Sequence, residues 1–395
     1  MLNNRQLFLL NTAQTSSSPR LIEIEKAEGL YLYGPNGERY MDLVSGFAVS
    51  NIGHRHPNVL AAIKEQLDKF LHVTVYGEFV QAPQVALASQ LVALLPPTLN
   101  NVYFVNSGTE ATEGAMKIAK KFTGRKEFVA AKKAYHGSTQ GALSLMGDEK
   151  FRIPYEPLLP NITYINFNDI TDLKTITHQT AAVVLEAVQG EAGVRVPDIA
   201  YMQAVRKRCD EVGALFILDE IQTGLGRTGK LFAFEHYDII PDILLTAKGL
   251  GGGMPIGAFI ARREIMAVIK ENPILGHITT FGGHPLSCAA ALASLNTIRD
   301  ENWMAAVPMK HQLFKDHLQH PLIQEVRGIG LMMAIQLASF EQVEQTSKYC
   351  ADHGIMIDWF LHHETALRVS PPLIIQEEEI IEACRIIKQG LDKIR

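Results

Sequence analysis

The sequence has little of what marks secreted, membrane-spanning or nucleic-acid-binding proteins. Its 395 residues hold four cysteines, Cys209, Cys288, Cys350 and Cys384, far apart and with no C-x-x-C pair. Such a set argues against a disulfide framework or a zinc site and suits a reducing cytoplasm. Long hydrophobic runs are missing as well: the longest, such as residues 214–218, are about five residues where a membrane span needs roughly 20. The apolar cluster at residues 7–10 follows Asn3, Asn4 and Arg5 without a cleavage-site pattern, so neither secretion nor anchoring is expected. Charge of one sign is not in excess, with 37 Lys+Arg against 42 Asp+Glu and a net charge of −5. The basic residues are scattered along the chain, which lacks the electrostatic footprint of a nucleic-acid binder. Disorder is excluded by the opposite balance, because 47% of residues are apolar and 20% charged, enough to bury one large core and a smaller one. The length suggests two or more domains.

No repeat, low-complexity tract or long linker interrupts the chain, so its organisation has to be read from changes in pattern. Short apolar or β-branched runs recur at residues 101–105, 127–131, 162–167, 181–186, 214–219, 243–247 and 257–261. Several are continuously apolar, as strands buried on both faces are. Helical patterns at residues 111–122 and 201–212 fall between them. Alternating strand and helix predicts an α/β sheet, mostly parallel, with helices on both faces. The two ends read differently. Residues 22–25, 31–33 and 39–42 predict a small antiparallel element with a turn at Pro35-Asn36-Gly37. After residue 295, helices over 303–317, 340–353 and 377–393 surround strands at 330–337 and 355–360, so the ends are candidates for a second α+β domain.

The chemistry-bearing residues sit at the ends of the central runs. Residues 101–105 lead into Asn106-Ser107-Gly108-Thr109-Glu110-Ala111 and then a helix. A helix N-terminus with free N–H groups is a cradle for an anion such as phosphate, although an ordinary capped turn has the same pattern. The run 214–219 ends in Asp219-Glu220-Ile221-Gln222. An Asp at the carboxyl end of a buried strand needs a cation or a donor, for which a protonated heterocyclic nitrogen is suited; a cap on the following segment is the alternative. Residues 224–229 satisfy G-x-G-x-x-G, but no strongly amphipathic helix follows and residues 244–249 carry no acidic group, so a glycine-rich loop is the better reading than a dinucleotide site. Lys248 follows the run 243–247 and precedes Gly249 and a glycine-rich turn. A lysine so placed is poorly solvated, and burial lowers its pKa toward a neutral amine able to form a Schiff base; a structural lysine paired with a carboxylate is the alternative. Anion cradle, Asp and Lys at strand ends of one sheet are together the parts that pyridoxal 5′-phosphate (PLP) requires.

In these ordered motifs the sequence resembles the class III, ornithine/acetylornithine-type, PLP-dependent aminotransferases of fold type I, from Gly53-His54 through Pro372. That resemblance implies a mostly parallel seven-stranded sheet in a large cofactor domain, residues 51–295, and a smaller α+β domain made from residues 1–50 and 296–395. It implies that Gly108 and Thr109 bind the cofactor phosphate, Tyr135 stacks on its ring, Asp219 holds the pyridine nitrogen, Gln222 lies near the ring hydroxyl and Lys248 carries the cofactor. Thr280 would reach the cofactor of a neighbouring subunit in a homodimer, with Thr279 beside it among the substrate-contacting residues. Arg368, in Leu367-Arg368-Val369-Ser370-Pro371-Pro372, resembles the arginine that binds a substrate α-carboxylate, and Glu191, in Gln189-Gly190-Glu191-Ala192-Gly193, the glutamate that pairs with it as a gate.

The implied reaction is a ping-pong transfer of an amino group from an ornithine-like, acetylornithine-like or other ω-amino donor to a 2-oxo acid, most plausibly 2-oxoglutarate. An aminomutase, a decarboxylase, or an aminotransferase for another ω-amino acid such as 4-aminobutyrate shares the same parts. Three positions depart from the family's pattern. Ser138 stands two residues after His136, where the family usually has an arginine for a substrate carboxylate. Phe47 lies near a position occupied by tyrosine in ornithine enzymes, and His284 replaces a common asparagine. A serine cannot supply a forked charge, so either another cation substitutes or the distal group of the donor differs.

Overall fold

The computed structural model describes residues 2–394. Its centre is a seven-stranded sheet in the spatial order Asn101–Val105, Gly257–Ala261, Ile243–Thr246, Leu215–Asp219, Thr180–Glu186, Glu127–Ala131, Ile162–Ile165. Gly257–Ala261 runs antiparallel to both its neighbours and the other pairings are parallel. Every residue of Thr180–Glu186 is buried, and its side chains divide between two cores. Val183 and Leu185 face one core, with the helices Ile199–Val212 and Pro285–Asp300, while Ala182 and Val184 face the other, with Gly108–Thr123. Period-two alternation with apolar residues on both faces explains why these strands read as continuous apolar runs.

The helix Gly108–Thr123 shows how closely local chemistry sets the boundaries. Ser107 caps it, its hydroxyl accepting from the Glu110 N–H (3.3 Å), and Gly124 ends it in a left-handed turn, φ 70°. Ala111, Ala115, Met116, Ile118 and Ala119 form its buried stripe.

A second body is assembled from both chain ends. Lys26–Glu28, Tyr31–Tyr33 and Arg39–Asp42 form an antiparallel ladder that Ile355–Met356 extends by pairing parallel to Arg39–Asp42. Glu325–Ile329, Met332–Gln336, His363–Val369 and Asp358–Phe360 form another sheet. Leu30, Met41 and Leu43 share one core with Phe314, Ile335, Ile355, Leu367 and Ile387. Several local expectations need correction. Residues 22–25 are in no ladder; the first strand is Lys26–Glu28. The expected strand 330–337 is the shorter Met332–Gln336, and 355–360 divides into Ile355–Met356 and Asp358–Phe360, which serve different sheets. His363–Val369 and Glu325–Ile329 were not expected as strands, because His363, Glu364 and Arg368, and Arg327 and Gly328, break the apolar runs that signal one.

The two bodies are joined by a buried guanidinium. Arg227, in the glycine-rich loop, is fully buried and donates from Nη1 to Leu331 O (3.1 Å) and to Pro371 O, and from Nη2 to Asn51 Oδ1. Asn51 returns a bond from Nδ2 to Leu225 O (2.9 Å), and the Leu373 N–H donates to Asn51 O (2.7 Å). Burial pushes the Arg227 pKa down to about 9, against the opposing charge of Asp42. Replacing Arg227 by Met strands these buried acceptors, at about 1–3 kcal/mol each. The variant is expected to lose about 3 kcal/mol or more in denaturant unfolding of the cofactor-free protein; unchanged stability would contradict the joining role.

Candidate active site

The parallel strands deliver their carboxyl ends to one edge of the sheet, where open α/β sheets bind ligands. Glu186 and Asp219 end adjacent strands in direct register. Asp219 is 5% exposed. Its Oδ1 accepts from the Ile221 N–H (2.9 Å) and its Oδ2 from Nδ1 of His136 (2.7 Å). The capping alternative is therefore realised by one oxygen, while the other is held by an imidazole. Burial depresses the His136 pKa, but its hydrogen bond to Asp219 and the charges of Asp219 and Glu186 outweigh that and raise it. Glu186 accepts from the N–H groups of Gly190 (3.0 Å) and Tyr135 (3.3 Å).

Above these carboxylates lies a cavity of about 520 Å³. Gly108, Thr109, Tyr135, Ser138, Glu191, Asp219, Gln222 and Lys248 all line it. The turn at Gly108 permits no side chain, since a Cβ there would come within 2.8 Å of the Ile221 side chain. Among the described residues, the N–H groups of Gly108 and Thr109 have no acceptor within the protein, so the N-terminus of a 16-residue helix opens onto the cavity as an anion cradle. Gly137 and Gly190 are equally restricted: a Cβ on the first would collide with Thr109 Oγ1 and on the second with Gln222 Oε1.

Lys248 follows the strand Ile243–Thr246 in a left-handed conformation, φ 43°, that a non-glycine residue rarely adopts. Among the described residues its ammonium makes no ion pair, which removes the structural-lysine alternative. Its pKa is lowered, by burial first and by the charge of Arg368, against the opposing pull of Glu191, Asp219 and Glu186.

Arg368, on the strand His363–Val369, is buried outside the cavity lining and reaches it through Glu191, donating from Nη2 to Glu191 Oε2 (2.6 Å). The same oxygen accepts from the Leu361 N–H (3.1 Å). The guanidinium sits against the rings of Phe360 (4.4 Å) and Phe47 (5.1 Å). Burial works against the Glu191 carboxylate, yet the charge and hydrogen bond of Arg368 hold its pKa below the ordinary value.

The aminotransferase class-III family matches residues 12–391 of the sequence. The chain belongs to the class III aminotransferases. It is 41% identical over 373 residues to acetylornithine aminotransferase of Methanopyrus kandleri, covering 94% of each chain. It is 42% identical over 386 residues to putrescine aminotransferase of Pectobacterium atrosepticum, covering 92% of this chain and 81% of that one. Among solved structures, the ornithine aminotransferase of Toxoplasma gondii, crystallised with partial occupancy of PLP at its active site, superposes with a TM-score of 0.90 at 30% identity over 98% of this chain and 93% of that one.

Within this class III aminotransferase, some expected residues stand apart from the cavity. Thr279 Oγ1 accepts from Asn106 Nδ2 (3.0 Å) and from the Gly282 N–H (2.9 Å), so it supports the wall from behind. Thr280 is exposed and does not line the cavity. His284 stacks on His72, with ring centroids 5.6 Å apart, and also lies outside the lining. The glycine-rich residues 224–229 form turns, fixed by Glu220, whose carboxylate accepts from the N–H groups of Ala233 (2.9 Å) and Phe234 (2.7 Å) and from the Thr223 hydroxyl. No long helix opens there, which leaves the dinucleotide reading without support.

Two residues of the site went unnoticed in the sequence. Glu186 ends a buried strand as Asp219 does, and the reasoning applied to one should have found the other. His136 was read only as the centre of the triplet that carries Tyr135. The residues present fit PLP: an N–H cradle for a phosphate, a buried carboxyl group for a ring nitrogen and an unpaired amine for an aldehyde.

Burial pushes the Glu186 pKa up to about 7, with the charge of His136 and two backbone N–H groups working the other way and Asp219 with it. Between its ordinary value of 4.5 and 7 the unfolded chain has released this proton and the folded one keeps it, so folding stability falls as pH rises through that window. Glu220, also raised to about 7, has the same sign. Glu186→Gln is expected to flatten the decline in the cofactor-free protein's unfolding free energy from pH 4.5 to 7 by up to about 3 kcal/mol, leaving the share of Glu220. A profile of unchanged steepness would contradict the assignment.

Proposed function

We propose that this class III aminotransferase moves the terminal amino group of a donor lacking a distal carboxylate, a diamine or comparable ω-amine, to a 2-oxo acid such as 2-oxoglutarate. PLP is the implied cofactor, and when bound it supplies an aldehyde that takes up the amino group and a protonated ring that draws electrons from the donor carbon. Gly108 and Thr109 would hold its phosphate, Tyr135 and Gln222 its ring and ring hydroxyl, Asp219 its ring nitrogen and Lys248 its aldehyde carbon. Asp219 suits that role because His136 and the Ile221 N–H hold its carboxyl group in place. Lys248, with its lowered pKa, can take the proton from the donor's amine-bearing carbon and hand it on.

The observation that carries the donor assignment is that, among the described residues lining the cavity, Lys248, assigned to the cofactor, is the one unpaired basic group. Arg368 is closed by Glu191, and Ser138 occupies the position where the family usually has an arginine. A distal carboxylate on the donor would have no partner among the described residues, whereas a distal ammonium or neutral end meets Ser138, the Tyr135 hydroxyl and Glu191. The name of the Pectobacterium relative is in keeping with such a donor. For the acceptor, Glu191 must leave Arg368, whose planar fork then binds the 2-oxo acid's carboxylate in two bonds.

A homodimer in the cytoplasm completes the proposal. Ile274 and Ile278, exposed by 76% and 49%, lie on one surface cavity, next in the chain to residues 279–281, where Phe281 is 53% exposed. Exposed apolar side chains of this kind mark a protein interface, and Thr280 stands among them within reach of a second subunit. The four cysteines are free and buried, in keeping with a reducing compartment. We take residues 51–295 as the cofactor-carrying unit and residues 1–50 with 296–395 as its smaller partner, so neither is active alone.

Lys248→Ala is expected to abolish turnover, and full transamination by that variant would sink the assignment. In single half-reactions with a donor panel, putrescine is expected to exceed acetylornithine in kcat/KM at least about tenfold, with Ser138→Arg moving the ratio toward acetylornithine by about 1–3 kcal/mol. A parent enzyme that favours acetylornithine would refute the donor class.

A further inference from the structure

A second cavity, of about 740 Å³, lies apart from the catalytic one and is lined by basic residues. Five basic side chains from distant parts of the sequence converge on it: Lys132 and Lys133 after the strand Glu127–Ala131, Arg195 after Thr180–Glu186, Lys315 from the helix Trp303–His317, and Arg327 from Glu325–Ile329. One carboxylate, Glu325, answers them, and it is engaged by Arg327 Nη1 (3.0 Å). Among the described residues Lys132, Lys133, Arg195 and Lys315 have no ion pair. Lys132, Lys133 and Arg195 are exposed and Lys315 and Arg327 half-buried, and together they set up a local positive potential that draws an anion.

The walls are built rather than incidental. Lys133, Asn168 and Val194 line the cavity with φ of 59°, 65° and 51°, and a β-branched residue such as Val194 is rarely held there. The turn at Lys132 is locked, because Gln189 Nε2 donates to Lys132 O (2.9 Å) and a Cβ on Gly147 would strike Ala131 O. The concentration of positive charge is also felt by a neighbour: burial first, and then the charges of Arg327, Arg195 and Lys133, push the His363 pKa down to about 4.

The cavity shares a wall with the catalytic site. Gln189, Ala192, Val194 and Arg195 face it, while Glu191 of the same loop faces the catalytic cavity. Gln189 and Arg195 pair across the loop, and Arg327 Nε donates to Gly193 O (2.6 Å). An anion drawing on Arg195 and Arg327 pulls on the loop that keeps Glu191 against Arg368.

We infer that this cavity binds a small anion carrying two or more negative charges, a phosphate or a polycarboxylate, and that its occupancy biases the position of Glu191. A monoanion would leave most of the cations unanswered. By linkage, an anion that favours the withdrawn Glu191 tightens binding of the 2-oxo acid, and the 2-oxo acid tightens binding of the anion by the same factor.

The test uses the PLP-loaded enzyme, in which the cofactor phosphate fills the cradle at Gly108 and Thr109. Pyrophosphate and citrate are titrated separately by calorimetry at constant ionic strength against a chloride control. The expected result is saturable binding of one anion per chain, weakened at least tenfold in Lys133→Glu/Arg195→Glu, whose thermal unfolding and donor half-reaction match the parent's. The tighter of the two probes assigns the phosphate or the carboxylate class. Binding that is not saturable, or that the charge reversals leave unchanged, overturns the site. The KM for the 2-oxo acid is expected to shift with the tighter anion in the parent and not in the variant, and an unshifted KM in the parent overturns the link to Glu191. Neither readout requires the donor to be a diamine, so failure of the donor assignment leaves this one standing.

Discussion

A guanidinium with no solvent around it has to be answered by acceptors from the protein, and Arg227 finds them in three separated stretches of chain: Asn51, Leu331 and Pro371. That requirement brings the glycine-rich loop, the segment at Asn51 that follows the N-terminal strands and two C-terminal segments of the smaller body to a single point. Arg368 is three residues before Pro371, and Phe47 four before Asn51. The contacts beside the cavity, Glu191 with Arg368 between Phe47 and Phe360, therefore depend on a junction that is itself outside the cavity. The glycines of residues 224–229, which look like a nucleotide signature, are what let the loop carry Arg227 into that junction: a Cβ on Gly226 would come within 2.8 Å of Leu373.

Inside the cavity the governing constraint is charge held out of water. Glu186 and Asp219 stand side by side by strand register, and two adjacent carboxylates cannot both ionise freely. The conflict is settled by His136, which binds Asp219 directly, and by burial of Glu186, which keeps its proton to about neutral pH. Lys248 faces this set without a partner of its own and with its pKa depressed, in the state that a nucleophilic and proton-accepting amine needs. Arg368 and Glu191 neutralise each other beside the cavity, the pair that the proposed function requires a substrate carboxylate to separate.

Much of this was legible in the sequence. Strands such as Thr180–Glu186 and Leu215–Asp219 are apolar on both faces, so their runs and the residues that end them stand out. Gly108, Asp219 and Lys248 each follow such a run, which is why motif order located the cavity. What stayed hidden depends on long-range pairing. The strand His363–Val369 is interrupted by polar residues because His363 bonds to Gln336 and Arg368 to Glu191. His136 gains its meaning from Asp219, 83 positions away. The basic residues at 132, 133, 195, 315 and 327 are scattered along the chain, as composition suggested, and only the packing of the C-terminal body against the central sheet collects them.

The central claim is that an unpaired amine at residue 248, in one cavity with Asp219, is where the cofactor is held. Borohydride reduction of the PLP-loaded enzyme followed by peptide mass mapping tests it most directly. The account predicts one phosphopyridoxyl group per chain, on the peptide that contains Lys248. A label on another lysine, such as Lys132 or Lys133, with Lys248 unmodified would contradict it.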